Sequence, residues 1–150
     1  MSLEKFDEII KFAIERENEA AEFYRYMQDI VKFKSQKDLL KEYERMEESH
    51  ARALETIKES KISEMEIGHV ENLMISDYVV DKKPSPEMTY QDIIIIAMKR
   101  EEAAHRLYTN LAKEVGEPRI KKLFEKLAEE ELKHKLHFEK IYDDEFFEEN

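Results

Sequence analysis

Two short stretches of this chain place a carboxylate and an imidazole three residues apart: Glu47-Glu48-Ser49-His50 and Glu131-Leu132-Lys133-His134. On a helix, positions i and i+3 share a face, so each pair could serve one metal ion. The spacing alone is a weak signal in a Glu-rich chain, and Glu66-x-x-His69 and Glu102-x-x-His105 also fit it. What precedes the first two sets them apart. Glu17 stands thirty residues before Glu47, and Glu101 thirty before Glu131. One constant offset of 84 residues lays Glu17 on Glu101, Glu47 on Glu131 and His50 on His134. Four carboxylates gathered in a core would repel one another, and burying even one unpaired charge is expensive. Two divalent cations would balance the four negative charges and leave the imidazoles as neutral ligands. The Glu of each Glu-x-x-His is placed to bridge, and Glu17 and Glu101 to cap one metal each. A mixed carboxylate and imidazole set suits iron or manganese, with zinc able to occupy it adventitiously.

Four helices must position these groups. Apolar residues stepping by three and four predict the first over about 3–33, with Ser2 as its cap and a seam of Phe6, Ile10, Ala13, Glu17, Ala20, Tyr24 and Met27. The second is expected over 35–60, starting at a capping box of Ser35 and Asp38, with Leu40, Tyr43, Glu47, His50 and Leu54 in its seam. The third spans 89–115 from a Thr89–Asp92 box. It matches the first layer by layer: Ile10 with Ile94, Ala13 with Ala97, Ala20 with Ala104, Tyr24 with Tyr108. Gly116 ends it and Pro118 opens the fourth, 117–143, whose seam holds Phe124, Leu127, Glu131, His134 and Phe138 and whose acidic end is expected to fray. In every seam the polar group interrupts an apolar line near mid-helix, so four seams turned inward bring all six groups into one layer. The stretch 61–88 holds Gly68, Pro84 and Pro86 and shows no helical period. As a linker it is long enough to cross the length of the bundle, giving two helical hairpins joined by one crossover. Within it, Asp77 to Val80 could order against the bundle. Glu66 and His69 fall in this linker and read as surface residues. His105 and His137 flank their seams, which fits surface or supporting roles. Ala20 and Ala104, one turn from the seam carboxylates, would leave space for an exogenous ligand. Tyr24 and Tyr108 could hydrogen-bond a ligand carboxylate or quench a radical, or simply pack in the aromatic core.

Composition removes several function classes. Hydrophobic and charged residues each make up 41% of the 150 residues, the balance of a bundle with a solvated exterior rather than of a disordered chain. A net charge of −11 argues against nucleic acid or an anionic membrane as partner. The chain has no cysteine, hence no disulfide, thiolate nucleophile or Cys-ligated metal. The first residues lack the apolar stretch of a signal peptide, and no apolar run is long enough to span a bilayer, so a cytoplasmic protein is expected.

The Glu-to-Tyr spacing (Glu17 to Tyr24, Glu101 to Tyr108), together with the two Glu-x-x-His motifs, resembles the rubrerythrin branch of the ferritin-like diiron-carboxylate proteins. The resemblance covers all four helices. It implies an all-α, ferritin-like antiparallel four-helix bundle, with Glu17 and Glu101 as terminal ligands, Glu47 and Glu131 as bridging ligands, and His50 and His134 as imidazole ligands. It favours two iron ions, with manganese as the other metal. It further implies a non-haem oxidoreductase of oxidative-stress defence, reducing hydrogen peroxide or oxygen, and a homodimer. Two departures stand out. Rubrerythrins carry an additional carboxylate about one turn past the first ligand of the third helix, where this chain has Ala104 and His105. Rubrerythrins proper also carry a Cys-built rubredoxin-like site, so here a separate electron-donor protein is implied. A ferroxidase feeding iron storage is the alternative function. A metal serving only as a structural staple, or an interaction module without metal, is the third.

Overall fold

The computed structural model describes residues 2–3, 6–59, 73–74, 78–80 and 83–146. Among them are four long helices, α1 (Phe6–Gln28), α2 (Lys34–Glu59), α3 (Tyr90–Glu114) and α4 (Pro118–Glu145), and two two-residue strands, β1 (Ser2–Leu3) and β2 (Leu73–Met74). The helices form an all-α four-helix bundle in which α1 packs along α2 and α3 along α4 as two hairpins. Glu66 and His69 lie outside the described residues.

From Phe6 onward every seam position is buried or half-buried. The polar layer divides the apolar core in two. One cluster joins Ile9, Ile10, Leu54, Leu111, Ile120 and Phe124, and the other joins Tyr24, Met27, Leu40, Ile93, Ile94 and Phe138. Each of these large side chains stabilises the fold by roughly 1.5–3 kcal/mol through burial. Leu54, late in α2, belongs to the first cluster, whereas Ile93, early in α3, belongs to the second. The chain therefore leaves α2 at one end of the bundle and enters α3 at the other. Tyr78, on the connection, is buried in the first cluster, and its hydroxyl accepts a hydrogen bond from Asn110 Nδ2 at 2.7 Å.

The helix ends follow local chemistry. Thr89 and Asp92 form the expected capping box, with Asp92 N–H to Thr89 Oγ1 at 3.1 Å and Thr89 N–H to Asp92 Oδ2 at 3.0 Å. Pro118 opens α4 behind Glu117, whose carboxylate accepts the backbone N–H groups of Arg119 and Ile120. Two starts differ from expectation. Ser2 does not cap α1, because Ser2–Leu3 pairs antiparallel with Leu73–Met74 and α1 begins only at Phe6. Ser35 does not cap α2 either. Phe33 takes that place, its N–H donating to Gln36 Oε1 at 3.4 Å, and Asp38 instead accepts from Lys34 Nζ at 2.7 Å. The end of α1 also comes early, at Gln28 rather than residue 33, where Lys37 Nζ reaches back to the Gln28 carbonyl at 2.7 Å. A lysine serves there as the C-terminal cap where no glycine is available.

Candidate metal centre

All six residues of the predicted layer converge. Glu17 from α1, Glu47 and His50 from α2, Glu101 from α3, and Glu131 and His134 from α4 are each at most 8% exposed. They form two four-residue groups whose ligand atoms all lie within 4.8 Å of one another: Glu17, Glu47, His50 and Glu131, and Glu47, Glu101, Glu131 and His134. Glu47 and Glu131 belong to both groups, the position a bridging carboxylate needs. Glu17 and His50 from the first hairpin belong to one, Glu101 and His134 from the second hairpin to the other.

The two imidazole rings are nearly parallel, 8° apart in plane and 5.9 Å between centroids, and both present Nδ1 to the carboxylates. His50 Nδ1 stands 2.8 Å from Glu131 Oε1, 2.9 Å from Glu17 Oε2 and 3.4 Å from Glu47 Oε1. His134 Nδ1 stands 3.4 Å from Glu101 Oε2 and 3.6 Å from Glu47 Oε1. One ring N–H cannot serve several carboxylates at once. Among the described residues, both Nδ1 atoms, both Glu131 oxygens and one oxygen each of Glu17, Glu47 and Glu101 are buried without a well-formed hydrogen bond. Buried polar atoms are normally paired. Donors aimed at a common point instead of at each other are what a cation coordinated between them requires. Oxygen and imidazole donors of this kind fit a divalent metal of the iron or manganese type.

Electrostatics point the same way. Burial, aided by the neighbouring carboxylates, pushes Glu47 up to about 8 and Glu131 well above the usual carboxylate range. Burial also raises Glu17 despite the nearby His50. Burial works to raise Glu101 as well, but His134, Glu131 and Tyr24 outweigh it and hold this carboxyl low. Burial lowers the histidines, yet the carboxylates prevail and lift His50 to about 9 and His134 to about 10. Without a metal, protons must supply the positive charge in this layer.

Tyr24 combines a hydrogen bond to a seam carboxylate with packing in the aromatic core, and Tyr108 packs in the core. The Tyr24 hydroxyl donates to Glu101 Oε1 at 2.6 Å while its ring stacks on Phe138. Tyr108 lies beside Glu17, and its ring stacks on Phe124. Tyr24 thus orients the carboxylate of the opposite hairpin. Burial raises both hydroxyls well above the ordinary tyrosine value, so they stay protonated. Between α1 and α3, a narrow opening of about 30 Å³, lined by Ala20, Ala103, Ala104 and Leu107, reaches Glu17 and Glu47. That is room for a molecule the size of water.

His105 is not in either ligand group, and its Nδ1 meets the Ala128 carbonyl at 2.8 Å. His137 meets the Tyr43 hydroxyl at 2.5 Å, and the Tyr43 ring in turn packs edge-on against His134, 4.8 Å between centroids. Two neighbours of the layer escaped sequence reasoning. Tyr43 was legible only as a seam aromatic. Glu130, whose Oε1 lies 2.9 Å from His50 Nε2, lies beside the α4 seam, and only the packing of α4 on α2 brings it to the ring.

Among the described residues, no helix is long and apolar enough to cross a membrane. No curated protein and no solved structure matches the chain. The model of the family described as Rubrerythrin matches residues 8–142, from the first turn of α1 to the last turns of α4. With that match across the bundle and a buried carboxylate and histidine cluster at its centre, the chain belongs to the rubrerythrin family.

Proposed function

We propose that this protein is a non-haem diiron oxidoreductase that reduces hydrogen peroxide or oxygen with electrons from a separate donor protein. The observation that carries this reading is the pair of four-residue ligand groups sharing Glu47 and Glu131. Glu17 and His50 would complete one metal position and Glu101 and His134 the other. When bound, an iron pair supplies two electrons, one from each ion, as each passes from the ferrous to the ferric form. Reduction of peroxide consumes those two electrons and two protons, breaks the O–O bond and yields two waters. The external donor then returns the electrons, since the chain has no cysteine for a redox centre of its own. The protein's part is positional. Four carboxylates would balance the metal charge, Tyr24 fixes the Glu101 carboxylate, and the apolar clusters on either side keep bulk water out. The opening lined by Ala20 and Ala104 has the size of a small oxidant.

The test is metal content per chain after anaerobic Fe(II) loading and desalting, for the wild type and Glu47→Ala, followed by oxidation kinetics. About two irons in the wild type, a clear loss in the variant, and faster oxidation by peroxide than by oxygen are expected. Many irons per chain after aerobic loading would replace this reading with iron storage. No bound metal in either protein would end it.

A further inference from the structure

The internal repeat is faithful at the ligands and fails beside them. At the offset of 84 residues that superposes the six ligand candidates, Glu130 falls on Met46, and Tyr43 falls on Leu127. The two histidines therefore have different surroundings. His50 presents Nδ1 to the centre, and its Nε2 lies 2.9 Å from Glu130 Oε1. The other Glu130 oxygen is 4.0 Å from Lys126 Nζ, and the side chain is half-buried. His134 has carboxylates within ion-pair reach only on its Nδ1 side, among the described residues, and its ring rests against Tyr43. At the place corresponding to Glu130, Met46 offers a thioether that can accept only weakly.

A carboxylate on the outer nitrogen of a metal-binding imidazole has three effects. It accepts a hydrogen bond from Nε2–H, which holds the proton on that nitrogen and leaves the Nδ1 lone pair for the metal. It fixes the ring plane, and it makes the ligand nitrogen more basic. Loss of such a partner typically costs about 10–100-fold in metal affinity. We propose that Glu130 is a positioning residue that makes the two metal positions unequal: the one served by Glu17 and His50 binds more tightly and fills before the one served by Glu101 and His134. This rests on the dinuclear reading above but is not contained in it, since two equivalent positions would serve that reading equally well.

The experiment is an anaerobic titration of metal-free protein with Mn(II), followed by calorimetry and by the electron paramagnetic resonance of the bound ion. The variants are Glu130→Met, Glu130→Gln and Met46→Glu, each checked for unchanged helicity. In the wild type, two steps separated by about 10–100-fold in Kd are expected, with the signal of an isolated ion at one equivalent. Glu130→Met should weaken the first step by about that factor and leave the second in place. Glu130→Gln, which keeps an acceptor but loses the charge, should fall between. Met46→Glu should strengthen the second step, a gain that a residue with a merely structural role would not give. Two ions taken up in one step by the wild type, or a first step untouched in Glu130→Met, would overturn the proposal while leaving the dinuclear site standing. No Mn(II) or Fe(II) uptake by any of the proteins would instead overturn the metal reading beneath it.

Discussion

The two hairpins of this bundle solve one problem twice, with different supporting parts. In α1–α2 and in α3–α4, a seam carboxylate stands seven residues before a buried tyrosine, and a Glu-x-x-His follows on the next helix. What repeats is what touches the centre. What does not repeat lies just behind it: Glu130 behind His50, and Tyr43 beside His134. Charge balance allows little freedom to the six inner groups, because one missing carboxylate leaves the buried layer unbalanced. The residues behind them meet no such requirement, and there the hairpins differ.

The comparison breaks most sharply at the ligands. Under the proposed dinuclear reading, Glu131→Ala removes a carboxylate common to both metal positions and is expected to abolish binding of both ions, as Glu47→Ala should. Glu101→Ala removes a group belonging to one position and should leave about one ion per chain. Elemental analysis after loading separates these outcomes. Loss of both ions from Glu101→Ala would mean that the hairpins do not serve separate positions.

A second effect concerns pH. Native His50 and His134, raised to about 9 and about 10, hold protons that the unfolded chain releases near its ordinary value of about 6.5. Glu47, raised to about 8, does the same from the ordinary carboxylate range upward. Between these limits the native protein binds more protons than the unfolded one, so stability falls as pH rises. The lowered Glu101 acts in the opposite sense, its contribution being lost only as the medium turns acid. The melting temperature of the metal-free protein should therefore drop by several degrees from pH 6.5 to pH 9. Metal affinity should rise over the same interval, because the cation displaces those protons. Thermal melts with and without Mn(II) test both, and a flat profile for the metal-free protein would contradict the proton-filled layer.

The smallest effect tests how far the repeat extends. Tyr24→Phe leaves the buried Glu101 carboxylate short of a hydrogen bond, at a cost of roughly 1–3 kcal/mol, and Tyr108→Phe tests whether the second tyrosine serves Glu17 in the same way. Chemical denaturation should give similar losses for the two. A large loss in one and none in the other would confine the symmetry to the ligands.

Much of this arrangement was legible before any coordinates, because seams of period three to four make a mid-helix Glu or His conspicuous. Glu17 and Glu101 stand out where Ile or Ala is expected, and the long stretch after α2 announces a crossover. The parts that were not legible depend on chain segments meeting across space. Ser2 has the chemistry of a cap, but pairing with Leu73–Met74 takes it away. Ser35 is a better capping residue than Phe33, yet α2 starts at Lys34, where Gln36 reaches back to the Phe33 N–H. Glu130 is indistinguishable in sequence from the many solvated glutamates of this chain. Only the geometry of α4 against α2 selects it.

The tyrosine contacts also bear on how the two hairpins are related. Tyr24 of the first holds Glu101 of the second, and Tyr108 of the second lies beside Glu17 of the first. His50 likewise approaches Glu131, and His134 approaches Glu47. A surface on which residue i meets j while j meets i is self-complementary, the signature of a two-fold isologous interface. Within one polypeptide the bundle has the contact logic of a homodimer whose protomers are single hairpins, and the crossover serves as the covalent tether between them.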